Sequence, residues 1–176
     1  MRFADERESL ARRVCDTVSG LSSRMQRQPF SSCVNADSLT ASEIVLIRDS
    51  YDRVSVGLRF SRNFYSRLFE IAPEFRKLFP DDLSAQVRKL MEMLAVMVER
   101  LDRPRELATL LASLGERHRG YGVSAHHFGP VGRALFDTLA GELGPNFDEP
   151  TCRAWIALYA LASSWMQEPT SVVDCA

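Results

Sequence analysis

From Ser38 onward, apolar side chains recur every three or four positions, and nowhere does a run of β-branched residues alternate with polar ones. A period near 3.6 belongs to helices that bury one stripe, and it points away from any sheet. Thr40 with Glu43 three residues later is a capping-box pattern, and Ile44, Ile47, Tyr51, Val54 and Leu58 continue the stripe behind it. Phe60, Phe64, Leu68 and Ile71 make a second stripe, which Pro73 ends. After a connector over Pro73–Pro80, Asp81 and Asp82 open a third helix carrying Leu83, Val87, Leu90, Leu94, Val98 and Leu101. Pro104 starts a fourth, with Leu107, Leu110 or Leu111, and Leu114 inward, until Gly120 and Gly122 break it. Phe128, Val131, Leu135 and Leu139 mark a fifth, closed by Gly144-Pro145. The last begins at Asp148 or Glu149 and turns Trp155, Leu158, Tyr159, Ala162, Trp165 and Met166 inward. The fold class predicted is all-α.

A chain of 176 residues that is 45% hydrophobic can build a single core without a metal or disulfide staple. Residues 1–38 stand apart. Leu10, Val14, Val18, Leu21 and Met25 fall at helical spacing, but the stretch from Gln26 to Asp37 is polar and turn-rich. This segment reads as an N-terminal extension, partly disordered or holding one amphipathic helix that frays or docks. The predicted domain is 39–168, with 169–176 as a flexible tail. A net charge of −1 and scattered arginines argue against nucleic-acid binding. No apolar run reaches the roughly 20 residues of a membrane span, and no secretory segment opens the chain. Cys15, Cys33, Cys152 and Cys175 form neither a CxxC nor a zinc pairing with the histidines. A reducing, cytoplasmic setting is expected.

The histidines carry what chemistry is visible. His126 and His127 sit beside Ser124 at a helix start, where capping or solvation is usual. His118 lies on the face of Leu111 and Leu114, one turn before the glycine break, in a segment running from Leu114 to Val123. Alone, such a histidine is more often a satisfied core or surface residue. Its company changes the reading. Gln86 lies on the apolar third helix, Tyr65 on the aromatic second one, and Phe79 closes the segment Phe75 to Pro80. Met91, Met93 and Met97 read as gap-fillers in a core helix.

Taken together, the runs Phe64-Tyr65 to Phe69, Ala72-Pro73-Glu74-Phe75, Lys77 to Phe79, Ala85-Gln86 to Met91, Leu114 to Val123, Val131-Gly132 and Ala154-Trp155 to Tyr159 resemble the globin family. The likeness is to bacterial single-domain globins and the globin halves of flavohaemoglobins, with a further similarity to neuroglobin, whose distal histidine would fall at Gln86. It implies a three-on-three helical sandwich holding haem b. His118 would be the axial iron ligand, because neutral imidazole binds ferrous iron and leaves the opposite face open. Tyr65 and Gln86 would be the catalytic pair facing bound gas, since a phenol and a carboxamide both donate hydrogen bonds. Phe79 would pack on the porphyrin, Leu90 would close the distal wall, and Leu114, Val123, Phe128 and Val131 would line the remainder. Arg117 would meet a propionate, although a solvated arginine is the commoner outcome.

The resemblance further implies reversible binding of dioxygen, with nitric oxide and carbon monoxide as further ligands, and oxidation of nitric oxide to nitrate. No GxGxxG occurs, so an external reductase is expected. The alternatives are a haem-based gas or redox sensor, using the extension as output, or a dioxygen storage or delivery protein. A haem-free interaction module and a doubly ligated electron carrier stand further off, on the strength of His118 and Gln86. Two departures stand out. Phe128 occupies the place of a flavohaemoglobin tyrosine, and Thr170 falls where those proteins carry a glutamate, which should weaken the electronic push on His118. The linker from Asp81 to Ala85 is also shorter, which would reshape access to the distal side.

Overall fold

Thr40 opens the first helix as its spacing requires. In the computed structural model, which describes residues 38–167, its hydroxyl accepts the Glu43 amide at 3.3 Å and its own amide donates to the Glu43 carboxylate at 2.8 Å. Helix α1 spans Ala41–Val54. It stops there because Gly57 takes a φ of +75°, a left-handed turn open to glycine. Leu58 therefore does not prolong the stripe of α1 as predicted; it immediately precedes α2, Arg59–Ile71.

The connector after α2 is itself ordered, as a 3₁₀ helix over Pro73–Leu78. Helix α3 runs Ser84–Glu99. Asp81 and Asp82 do not open it, contrary to the sequence prediction. Instead the Asp82 carboxylate accepts the Ser84 amide at 2.9 Å and caps the helix from outside. Helix α4 is Pro104–Gly120 and α5 is Ala125–Leu143. Ser124 caps α5 with His127 in the place usually held by glutamate, the Ser124 amide donating to His127 Nδ1 at 3.0 Å. A short 3₁₀ turn, Gly144–Asn146, leads to α6, Glu149–Gln167. Asp148 lies just ahead of α6 and accepts the Thr151 amide at 3.0 Å.

The helices form the three-on-three arrangement, α1, α3 and α4 against α2, α5 and α6. The broadest packing is of α2 on α5, α4 on α6 and α1 on α6. Ile47, Phe60, Leu68, Leu107, Leu111, Leu139 and Trp155 are almost completely shielded from water. Trp155 also needs a partner for its indole N–H. It donates to the Ser50 hydroxyl at 2.8 Å, which in turn donates to the Leu46 carbonyl at 2.6 Å, so a buried polar relay joins α6 to α1. Met91 and Met97 are buried and Met93 partly so, in keeping with a gap-filling role.

Two close approaches matter for the site. Gly115 of α4 lies against the main chain of Met166, where an added Cβ would meet the carbonyl oxygen at 2.0 Å. Gly132 of α5 lies close on the Tyr159 ring, where an added Cβ would come within 2.7 Å of the nearest ring carbon. By contrast, α3 and α4 are consecutive in the chain yet make almost no direct contact. No helix among the described residues is long and apolar enough to cross a membrane. The expectations for residues 1–37 and 169–176, including Cys15, Cys33 and Cys175, lie outside the described residues. Cys152 is buried, and burial pushes its thiol up to about 11.

Candidate functional site

His118 sits half-buried in the last turn of α4, and the helix itself orients its ring. The helical i−4 spacing brings the Leu114 carbonyl to 2.8 Å from Nδ1. A carbonyl only accepts, so Nδ1 carries the proton and Nε2 keeps its lone pair. Nε2 has no hydrogen-bond partner among the described residues. The His118 main-chain oxygen receives the amides of Tyr121 and Val123, each at 3.0 Å. The turn after α4 is thereby folded back, with Gly122 at a φ of +82°, and Val123 is brought beside the histidine. Arg119 donates to the Met166 carbonyl at 2.9 Å, the same oxygen that Gly115 faces. Helix α4 thus meets α6 at one carbonyl, through Gly115 and Arg119, which flank His118 in the sequence. Arg117 is exposed, and its Nε donates only to the Ser113 carbonyl at 3.4 Å.

A second group forms around Tyr65 of α2, which is buried among aromatic rings. Phe64 and Phe79 meet it edge-on at centroid distances of 5.2 and 5.5 Å, and Phe69 stacks at 6.1 Å. Its hydroxyl donates to the main-chain carbonyl of Gln86 at 3.4 Å, a long and weak bond. Burial pushes the phenol up to about 12, so it stays a proton donor throughout the physiological range. The Gln86 side chain is half-buried, and its carboxamide bonds to no other described residue. Leu90 follows one turn later, half-buried, as are Phe79 and Leu114.

The start of α5 supplies Phe128 and Val131, both half-buried. The Phe128 main-chain carbonyl receives the Tyr159 hydroxyl, and burial raises the pKa of that tyrosine as well. The structure therefore brings Tyr65, Gln86 and Phe79 together, and separately joins His118 to Leu114 and Val123. Arg117 joins neither group. A cleft of about 380 Å³ between α2 and α3 reaches Tyr65, over Leu58, Phe69, Leu83 and Val87, and no residue of α4 lines it.

Sequence reasoning did not find the acceptor of His118, because a main-chain carbonyl has no residue-type signature. The i−4 spacing in a helix is the signal that could have found it. It also overlooked Phe69, whose stacking on Tyr65 is an i+4 contact within α2 that the helical spacing could have given.

These residues suit haem. Half-buried His118 offers one imidazole nitrogen with its lone pair unengaged among the described residues, and its second nitrogen is held by a fixed acceptor. Among the described residues no group of three or more His, Cys, Asp or Glu could hold an ion instead.

The helical layout, with one half-buried imidazole free at Nε2 among the described residues and a buried tyrosine beside Gln86, defines an all-α protein of the three-on-three helical class. The sequence profile of the globin family, described simply as Globin, matches residues 62–166. The chain is 30% identical over 136 residues to neuroglobin of Danio rerio, covering 69% of this chain and 86% of that protein. Neuroglobin of Dissostichus mawsoni is 32% identical over 118 residues, covering 59% and 74%. Among solved structures, an engineered carbene transferase assigned as a nitric oxide dioxygenase of Rhodothermus marinus superposes with a TM-score of 0.65 at 27% identity, covering 74% of this chain and 92% of that one. The chain belongs to the globin family. Family membership implies haem binding and, with it, small gas molecules as ligands.

Proposed function

We propose that this globin reversibly binds dioxygen at ferrous haem b and uses it to convert nitric oxide to nitrate, with electrons from a separate reductase in a reducing cytoplasm. The observation that supports this reading is the Tyr65 hydroxyl, protonated through the physiological range and donating to the main-chain carbonyl of Gln86, whose carboxamide is unengaged among the described residues. Haem, held by His118, would supply a redox-active iron for binding the gas and for one-electron chemistry.

The chain's own residues do the remainder. His118 Nε2 would hold the iron, with Nδ1–H fixed on the Leu114 carbonyl so that the ring cannot turn. That partner is neutral, so His118 would be a moderate electron donor to the iron. Tyr65 and Gln86 would donate hydrogen bonds to the negative end of the gas, which slows its loss as superoxide. Phe79, Leu90, Leu114, Val123, Phe128 and Val131 would keep water out, and Arg117 would stay at the solvent rim. The Rhodothermus marinus neighbour, by its assignment, supports the same chemistry.

The test is to titrate nitric oxide into the oxygenated protein and count nitrate, alongside autoxidation rates of the wild type, Tyr65→Phe and Gln86→Leu. One nitrate per haem and faster autoxidation in both variants are expected. Unchanged autoxidation in both would remove the mechanism, and recovery of dioxygen without nitrate would leave storage or sensing.

A further inference from the structure

Arg76 lies in the 3₁₀ helix after α2, and main-chain oxygens occupy its guanidinium. One terminal nitrogen donates to the carbonyls of Phe79 at 3.1 Å and Pro80 at 2.9 Å, and the other to that of Asp81 at 3.0 Å. The Asp81 carboxylate is 3.8 Å away and fully exposed, where an ion pair adds little. The same guanidinium carbon stands 5.5 Å from the centre of the Phe69 ring, within cation–π range.

Those three carbonyls receive no main-chain N–H among the described residues, and Pro80 has none to donate. The strip between the 3₁₀ helix and α3 therefore has no ladder of its own. One side chain takes the place of that ladder. Phe79 is the first residue it grips, and the Phe79 ring meets Tyr65 at 5.5 Å and Phe69 at 5.4 Å, both edge-on. Phe69 in turn stacks on Tyr65 at 6.1 Å. Arg76 thus holds two of the rings that flank Tyr65, one through its backbone and one through its face.

We propose that Arg76 is a positioning residue for the gas-binding side: by clamping Phe79, Pro80 and Asp81 while covering Phe69, it fixes the ring of Tyr65 and so the direction of its hydroxyl. This rests on the reading of Tyr65 as a donor to bound gas. Arg76 touches no gas itself. Its action depends on a planar fork reaching several oxygens at once, which a lysine ammonium cannot match.

The experiment uses the haem-loaded full chain with carbon monoxide as the probe, reading the C–O stretching frequency and the dioxygen dissociation rate. Arg76→Met keeps the apolar stem and removes every donor; Arg76→Lys keeps the charge. In Arg76→Met the C–O band should move toward its position in Tyr65→Phe, and dioxygen should leave roughly tenfold faster, the equivalent of one neutral hydrogen bond. Arg76→Lys should recover part of both. In a Tyr65→Phe background, Arg76→Met should add nothing further, because both act through one hydroxyl. A folded Arg76→Met with the wild-type band and rate, or a full additive effect without the hydroxyl, overturns the proposal. Should Arg76→Met fail to fold, Arg76→Lys decides by the same readings. A Tyr65→Phe variant that leaves band and rate unchanged removes the gas-donor reading first, and this proposal with it.

Discussion

Replacing Gly115 with alanine should destabilise the protein, although alanine is the better helix former. The added Cβ would lie 2.0 Å from the Met166 carbonyl oxygen and 2.7 Å from two further main-chain atoms. An ordinary carbon–oxygen contact is about 3.3 Å, so α4 and α6 must part by on the order of 1 Å. The obstruction is backbone and cannot rotate aside. Overpacking of this kind costs about 1–3 kcal/mol or more, against a gain of about 1 kcal/mol in helix propensity. The same carbonyl accepts Arg119, so that bond is lengthened too. A net loss of about 1 kcal/mol or more is expected, or roughly 2–4 °C in Tm per kcal/mol for a chain of this size. Gly141 in α5 supplies the control, since nothing lies within 4 Å of its added Cβ. There the propensity gain stands alone, and Gly141→Ala should stabilise by about 0.5–1 kcal/mol. Urea unfolding followed by helical circular dichroism reads both. Equal stabilisation in the two variants would refute the close approach of α4 to α6, and with it the reason His118 is held so firmly.

Ser50→Ala should leave the Trp155 indole N–H without a partner in the core and cost about 1–3 kcal/mol in the same assay, with the m-value unchanged. Alkaline pH should weaken the fold through Tyr65. Its phenol ionises near 10 when unfolded but is pushed to about 12 when folded, so its contribution is intact below pH 10 and lost as pH rises through 12, by up to about 3 kcal/mol. The urea midpoint should therefore fall between pH 9.5 and 11.5, less steeply in Tyr65→Phe, and an identical slope in the two proteins would contradict the burial of that hydroxyl.

Much of the helical layout is legible in the string, and the misses have local causes. The stripe from Ile44 to Leu58 keeps its spacing straight through a turn, because Gly57 reverses the chain without disturbing the apolar count. Asp81 and Asp82 look like a helix start because acidic residues do gather there, but Asp82 acts from two residues outside. Residue types around the pocket are legible only through a family resemblance. Periodicity places Tyr65, Gln86 and His118 on inward faces and goes no further. The contacts that orient them run through main-chain oxygens of Leu114, Gln86, Phe79 and Met166, and any residue type supplies such an oxygen. Gly115 likewise reads as an indifferent glycine in a helix until the neighbouring helix is in place.

The most direct measurement is the visible absorption spectrum of the purified protein, taken ferric, then reduced with dithionite, then under carbon monoxide. If His118 holds the iron and leaves the Tyr65–Gln86 side open, the reduced protein should show a five-coordinate band that shifts with carbon monoxide and is lost in His118→Ala. A protein that stays colourless after haem reconstitution, or a His118→Ala variant with the wild-type spectrum, would contradict it.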